Sequence, residues 1–205
     1  MPISPNETHE NLEKIVLLVI CFAVCVASVP LAGGRLGALA SLRPRHTWAV
    51  LGALGMQVGI ISIWPGSGGI YLVFHLASYA LLLVFLLYNR SIPGLWIVGM
   101  GTLMNFVVIA SNGGVMPATA GALTRAGLTI DPDQFANSAQ LVDPNYAFLG
   151  DVFAIPAAFP FANVFSPGDV CIVVGALLTL HQVCNSRFFP RRPTLTPLHT
   201  LDQTV

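Results

Sequence analysis

Two aspartates, Asp151 and Asp169, stand 18 positions apart in a chain with very few charges. Asp151 precedes a stretch rich in phenylalanine and proline, and Asp169 opens the final apolar run. If the chain folds back between them, the helix start favours the ionised form of Asp169, and apolar neighbours favour the protonated form of Asp151. Two carboxyl groups held in opposite protonation states act as base and acid on a bound water. Asp151 and Asp169 are therefore the candidate catalytic residues of a hydrolase.

Each aspartate also has a structural interpretation. The sequence from Ser166 to Asp169 fits the Ser-x-x-acid capping box, with Pro167 at the first helical position. Asp151 could likewise cap a short helix over residues 152–155. At the level of sequence, both the catalytic and the capping interpretation stay open.

The composition indicates a lipid environment. Of the 205 residues, 55% are hydrophobic and 9% are charged, against about 25% charged in ordinary soluble domains. The formal net charge is zero and no basic block is present, which argues against a nucleic-acid partner. The expected partners are the lipid bilayer and a membrane-anchored peptide or lipid-like substrate. No cofactor or metal follows from the sequence.

The apolar runs predict an all-α integral membrane protein, with residues 1–205 forming a single membrane domain. A spanning helix needs about 20 mainly apolar residues, and five runs fit, at about residues 15–32, 48–64, 70–87, 95–111 and 167–188. We expect residues 112–166 to form a structured segment that lies at the membrane interface or re-enters the membrane, because Pro156 and Pro160 break any long helix.

The positions of lysine and arginine predict an orientation for these spans. Of the nine residues, seven fall in loops on one side, and only Lys14 and Arg125 fall on the other. Cytoplasmic loops hold the excess of these residues. The sequence therefore predicts a plasma-membrane protein with its amino terminus outside, its carboxyl terminus in the cytoplasm and residues 112–166 on the extracytoplasmic side.

Polar residues within the runs have two interpretations. Asn105 and Asn112 share a face of run four, and His75 and His181 lie in runs three and five. We expect hydrogen bonds to neighbouring helices, although such residues can also mark functional sites. Asn112 and Gly114 begin a loop, either as a helix stop or as polar positioning groups.

The carboxyl-terminal part of the chain resembles the bacterial lipoprotein signal peptidase family, whose members are aspartic peptidases embedded in the membrane. Asp151-Val-Phe and, further on, Phe-Ser-Pro-Gly-Asp169 before an apolar run are similar to that family's first Asp and its Phe-Asn-x-Ala-Asp motif. Asn112-Gly-Gly is similar to its Asn-x-Gly motif. The resemblance implies Asp151 and Asp169 as a catalytic dyad, and we take Asn112, Gly114 and Ser166 as candidate substrate-binding residues.

Over nearly its whole length the chain resembles a family of small bacterial multi-pass membrane proteins of unknown function. The similar motifs are Gly-Gly-Arg35-Leu, Asn112-Gly-Gly-Val-Met-Pro117, Leu-Gly-Asp151 and Phe-Ser-x-Gly-Asp169. Two function hypotheses follow: an aspartic-dyad membrane hydrolase, or a non-catalytic assembly or transport accessory protein of the membrane. Convergence of Asp151, Asp169 and Asn112 on one cavity would separate them.

Overall fold

The computed structural model describes residues 19–63, 69–128 and 138–189. The helices are α1 over residues 19–31, α2 (Thr47–Ile63), α3 (Gly69–Tyr88), α4 (Leu95–Ser111), α5 (Ala120–Ala126) and α6 (Pro167–Val183). Two 3-10 helices cover Leu36–Ser41 and Ala147–Leu149. The short strands are β1 (Met116–Pro117), β2 (Ser138–Ala139), β3 (Phe153–Ile155) and β4 (Asn163–Phe165).

The apolar runs predicted the positions of the long helices well, but the prediction that these helices span a membrane is wrong. Across the described ranges, no helix combines the length and the apolar character needed to cross a bilayer. Helices α2, α4 and α6 have 17 residues each, or about 26 Å at 1.5 Å per residue. A hydrocarbon core is about 30 Å thick.

This finding also corrects the predictions built on the spans. The same finding contradicts the five-span architecture, the placement in a bacterial plasma membrane and the orientation with the amino terminus outside. Of the predicted first span, residues 15–18 lie outside the described residues. The predicted fifth helix is also shorter than expected, since it ends at Val183 rather than residue 188.

The all-α prediction is also wrong, because the segment between α4 and α6 contains strands. β1 pairs with β2 in parallel, and β3 pairs with β4 in an antiparallel ladder. The physical reason lies in the sequence of this segment, where Pro156 and Pro160 stop any helix. The flanking valine, isoleucine and phenylalanine residues favour extended backbone.

Helices α4 and α6 pack closely against each other through glycines. A methyl group added at Gly101 would overlap the carbonyl oxygen of Gly168, and one added at Gly175 would overlap the backbone nitrogen of Val98. Along the same line of contact, Gly94 lies against Thr179. As the residue number increases along α4, the number of the contacted residue in α6 decreases. The two helices are therefore antiparallel, and their backbones nearly touch.

The remaining long helices pack in sequence. Asn89 at the end of α3 bonds the backbone of Arg45 just before α2, and Gly52 of α2 lies against Leu81 of α3. These pairs make α2 and α3 an antiparallel hairpin. Gly99 of α4 in turn lies against Leu86 of α3, so α3 lies between α2 and α4.

His181 connects α1 to the end of α6. Its imidazole is 5% exposed, with Nε2 3.0 Å from the Ser28 hydroxyl and Nδ1 2.9 Å from the Ser186 hydroxyl. The backbone N–H of Arg187 donates to the Ala32 carbonyl nearby. The expectation that His181 hydrogen-bonds a neighbouring helix is confirmed.

The glycine contact predicts a sharp asymmetry between two Gly→Ala substitutions. Gly101→Ala should lower the free energy of unfolding by about 3 kcal/mol, because the new methyl group forces α4 away from α6. Gly55→Ala should raise it by about 0.5 to 1 kcal/mol, because that helical position has no heavy atom within 4 Å and alanine favours helix. Denaturant titration of both variants measures the difference, and equal effects would contradict the packing.

Burial of His75 on α3 predicts a pH-dependent stability. Desolvation lowers the pKa of His75 below its usual 6.5, so the unfolded chain binds a proton at a higher pH than the folded chain does. The free energy of unfolding should therefore fall as pH drops below about 6.5, by at most about 1.4 kcal/mol per pH unit.

Denaturation at pH 7.5 and pH 5.5 tests this dependence. His75→Gln should flatten it, whereas His46→Asn, at an exposed position with positive φ, should retain it. An unchanged slope in His75→Gln would show that another group causes the dependence.

Candidate functional site

Asp169 closes a capping box at the start of α6. Its Oδ2 accepts hydrogen bonds from the backbone N–H of Ser166 at 2.9 Å and from the Ser166 hydroxyl at 2.8 Å. The Ser166 side-chain oxygen in return accepts the N–H of Asp169 at 3.0 Å. The predicted capping box is thus confirmed, with Pro167 in the first turn.

The other carboxylate oxygen of Asp169 is bound by α4. The side-chain amide of Asn105 donates to Oδ1 of Asp169 at 2.7 Å, and the amide oxygen of Asn105 lies 3.0 Å from the Ser166 hydroxyl. Asn105 and Ser166 are 3% and 0% exposed. In the three hydrogen bonds that the described residues make to this carboxylate, Asn105 and Ser166 are the donors.

Close packing of α4 on α6 makes this network possible. A side chain at Gly168 would overlap the amide oxygen of Asn105, so glycine at this position lets the amide reach the helix start. The hydroxyl of Ser166 carries one hydrogen and has two acceptors within reach, Asn105 and Asp169. The three side chains form one buried polar cluster, which we call the Asn105 cluster: Asn105, Ser166 and Asp169.

The β3–β4 ladder returns the chain toward this cluster. Phe153 pairs with Phe165, Ala154 with Val164 and Ile155 with Asn163. In an antiparallel ladder, the residues before β3 and after β4 leave from the same end. Asp151 lies two residues before β3, and Ser166 follows β4 directly. The backbones of Asp151 and Ser166 therefore lie at the same end of the hairpin.

The position of Asp151 is fixed by its own backbone. Its N–H donates to the Pro117 carbonyl at 2.8 Å, and its carbonyl accepts the Thr119 N–H at 3.1 Å. Gly150 has no room for a side chain, because a methyl group there would overlap the Pro117 carbonyl. Asp151 is 4% exposed. The alternative that it caps a helix over residues 152–155 is wrong, since that stretch contains β3.

Helix α5 covers the hairpin from one side. Thr119 caps α5 by accepting the N–H of Ala122. The buried core under α5 consists of small and aliphatic side chains: Ala118, Ala122, Leu123, Ala126 and Val164. Because Thr119 bonds Asp151 and Val164 belongs to β4, this core couples both strands to the candidate site.

Asn112 and Gly114 end α4. The side-chain amide of Asn112 donates to the carbonyls of Val108 and Asn145, and its oxygen accepts the N–H of Asn145. Gly113 follows the C-cap with a φ of 68°, and the N–H of Gly114 donates to the Ile109 carbonyl, which is a glycine helix stop. The helix-stop interpretation is confirmed, and a substrate-binding role for Asn112 and Gly114 stays a prediction.

The structure thus brings some of the predicted site residues together and leaves others apart. Ser166 and Asp169 share the Asn105 cluster, and the hairpin register places the backbone of Asp151 at the same end as Ser166. The side chain of Asn112 is bonded instead to the loop at Asn145. Sequence reasoning missed the contact of Asn105 with Asp169, although the seven-residue spacing from Asn112 placed Asn105 on the same helix face.

Comparison with known proteins gives a family but no activity. Residues 43–181, which are more than half of the chain, match the profile of a family of unknown function, DUF5317. The chain belongs to this family. The range that matches DUF5317 includes Asn105, Asp151, Ser166 and Asp169, so the whole candidate site lies inside the family domain.

One relative extends the comparison. An uncharacterised protein of Thermotoga maritima is 29% identical over 103 residues, which cover 49% of this chain and 58% of that protein. The matched region therefore covers little more than half the length of this relative. No solved structure matches the chain.

The capping network predicts a measurable cost for losing one hydroxyl. Ser166→Ala should lower the free energy of unfolding by about 2 kcal/mol, because it removes the cap and leaves Asn105 and Asp169 with a missing partner. Ser41→Ala, at an exposed hydroxyl, should change it by less than about 0.5 kcal/mol. Denaturant titration compares the two, and a neutral Ser166→Ala would contradict the network.

Proposed function

We propose that this DUF5317 protein is a hydrolase that uses Asp151 and Asp169 as a general acid–base pair on a bound water. The observation that supports the proposal is the register of the β3–β4 ladder, in which the backbone of Asp151 and that of Ser166 lie at the same end of the hairpin. Peptide bonds are the substrate class that fits best, because the order of the two aspartates resembles that of the lipoprotein signal peptidases. A lipid-modified peptide is the more specific candidate.

The two carboxyl groups have different surroundings, as acid–base work requires. Asp169 accepts three hydrogen bonds at a helix start, and we assign it as the base. Asp151 is 4% exposed, and we assign it as the acid.

The proposed reaction balances without a cofactor. Asp169 takes a proton from water as the water oxygen bonds to the substrate carbonyl carbon, and Asp151 donates its proton to the carbonyl oxygen. The tetrahedral intermediate then collapses: the C–N bond breaks, the nitrogen takes the proton held by Asp169, and Asp151 recovers its own. Asn105 acts as a positioning residue, because it holds Asp169 through Oδ1.

A second candidate is supported by the same contacts. Both oxygens of Asp169 and the whole amide of Asn112 are already bonded within the protein. A non-catalytic accessory protein, in which these groups only stabilise the fold, would use them in this way.

Two Asp→Asn variants decide between these functions. The full-length protein is incubated in ¹⁸O-water with a mixed peptide library, with and without lipid-modified members, and cleavage is read as ¹⁸O in new carboxyl termini. Asp151→Asn and Asp169→Asn should each reduce hydrolysis by at least about 100-fold, the usual contribution of a positioned acid or base. Asp143→Asn, at an exposed turn with positive φ, is the matched control and should retain activity.

Folding is monitored by circular dichroism in every variant. Asp169→Asn removes an acceptor from the cap, so a loss of activity there counts only if the helix content is retained. Asp151 lies outside the capping box of α6, so Asp151→Asn carries the test if Asp169→Asn unfolds. Full activity in folded Asp151→Asn, or no cleavage by the unmodified chain, would overturn the hydrolase and leave the accessory protein.

A further inference from the structure

A hollow of about 220 Å³ lies far from the aspartates, between the residues that precede α2 and the turn that follows α3. Its polar lining comes from Arg43, Arg45, Tyr88, Asn89 and Ser91. Every one of these side chains can donate a hydrogen bond, and two of them carry a permanent positive charge. The lining is therefore suited to an anion.

Asn89 holds the two sides of the hollow together. It is 3% exposed, and its amide oxygen accepts the N–H of Arg45 at 2.8 Å while its amide nitrogen donates to the Arg45 carbonyl at 2.8 Å. The same nitrogen also donates to the Phe85 carbonyl within α3. Both backbone groups of Arg45 are thus fixed to α3, so the loop with the two arginines has a defined position before any ligand binds.

The charges around the hollow are of one sign. Arg90 lies next to Asn89 in the same turn, and the described carboxylates, Asp143, Asp151 and Asp169, all follow α4 in sequence. Asp169 is bonded to Asn105, about 15 Å along α4 from its start beside the hollow. That distance is too great for an ion pair between Asp169 and the arginines of the hollow.

The size of the hollow limits the ligand. Pockets for drug-sized molecules measure about 300 to 1,000 Å³, so this one holds a small group rather than a whole cofactor. A tetrahedral phosphate with several acceptor oxygens matches a lining that offers two guanidinium groups, a tyrosine hydroxyl and a serine hydroxyl. Chloride or another monatomic ion would use only part of these donors.

We propose that this hollow binds the phosphate group of a phosphate ester, either a free ester or a phospholipid headgroup. Arg43 and Arg45 contact the phosphate oxygens, Tyr88 and Ser91 add hydroxyl donors, and Asn89 positions the loop. The phosphate site does not include the aspartates, so its test is independent of the test of the proposed hydrolase.

Isothermal titration of the full chain with inorganic phosphate, in a chloride buffer of low ionic strength, tests the site. Arg43→Gln and Arg45→Gln should each raise the Kd at least about tenfold, because each removes a charge-assisted contact. Arg125→Gln, at an exposed arginine on α5, is the control and should change the Kd by less than about twofold.

A second arm identifies the source of the phosphate. Phosphatidylcholine vesicles with and without phosphatidic acid are mixed with the same variants. Binding to the anionic vesicles that requires Arg43 and Arg45 assigns a headgroup, and binding to phosphate alone assigns a free ester. The proposal is overturned if phosphate binds no better than chloride, or if Arg125→Gln weakens binding as much as the other two substitutions.

Discussion

The approach of α4 to α6 is the constraint on which the candidate site depends. Gly101 and Gly175 leave no space for a side chain between the two backbones, and this closeness brings Asn105 within 2.7 Å of the Asp169 carboxylate. Glycine within a helix costs about 1 kcal/mol relative to alanine. The packing and the buried hydrogen bonds offset that cost. Without this contact, Asp169 would be an ordinary helix cap with one free oxygen.

The second half of the site depends on the segment between the two helices. Asn112 and Gly114 end α4 and direct the chain into β1. Pro117 then binds the backbone of Asp151, and Gly150 allows that approach. From there the β3–β4 hairpin leads directly to Ser166 and the start of α6. The helix stop and the hairpin are local, whereas the hydrogen bond of Pro117 with Asp151 joins residues 34 positions apart in the chain (151 − 117).

Some of this arrangement was predictable from sequence. The apolar runs located α2, α3, α4 and the start of α6, because an apolar helix needs little more than composition to be recognised. The capping box at Ser166 and the glycine stop at Gly114 have short-range signatures, so both were recognised. Membership in a family of unknown function is likewise supported.

The rest depends on information that a single sequence lacks. Asn105 and Asp169 are 64 positions apart, and only the packing of their helices makes them partners. The hairpin was missed because its strands have three residues each, too few to establish a period of two. The membrane prediction was wrong because it rested on apolar composition alone, whereas none of the described helices is both long and apolar enough to cross a bilayer.

The separation of the Asp151 and Asp169 carboxyl groups is the most direct test of the account, and a high-resolution crystal structure would measure it. Two hydrogen bonds through one water require carboxyl oxygens within about 6 Å of each other. The account predicts that separation, with an ordered water in contact with both aspartates. Oxygens more than about 8 Å apart, or protein atoms filling the space between them, would contradict it.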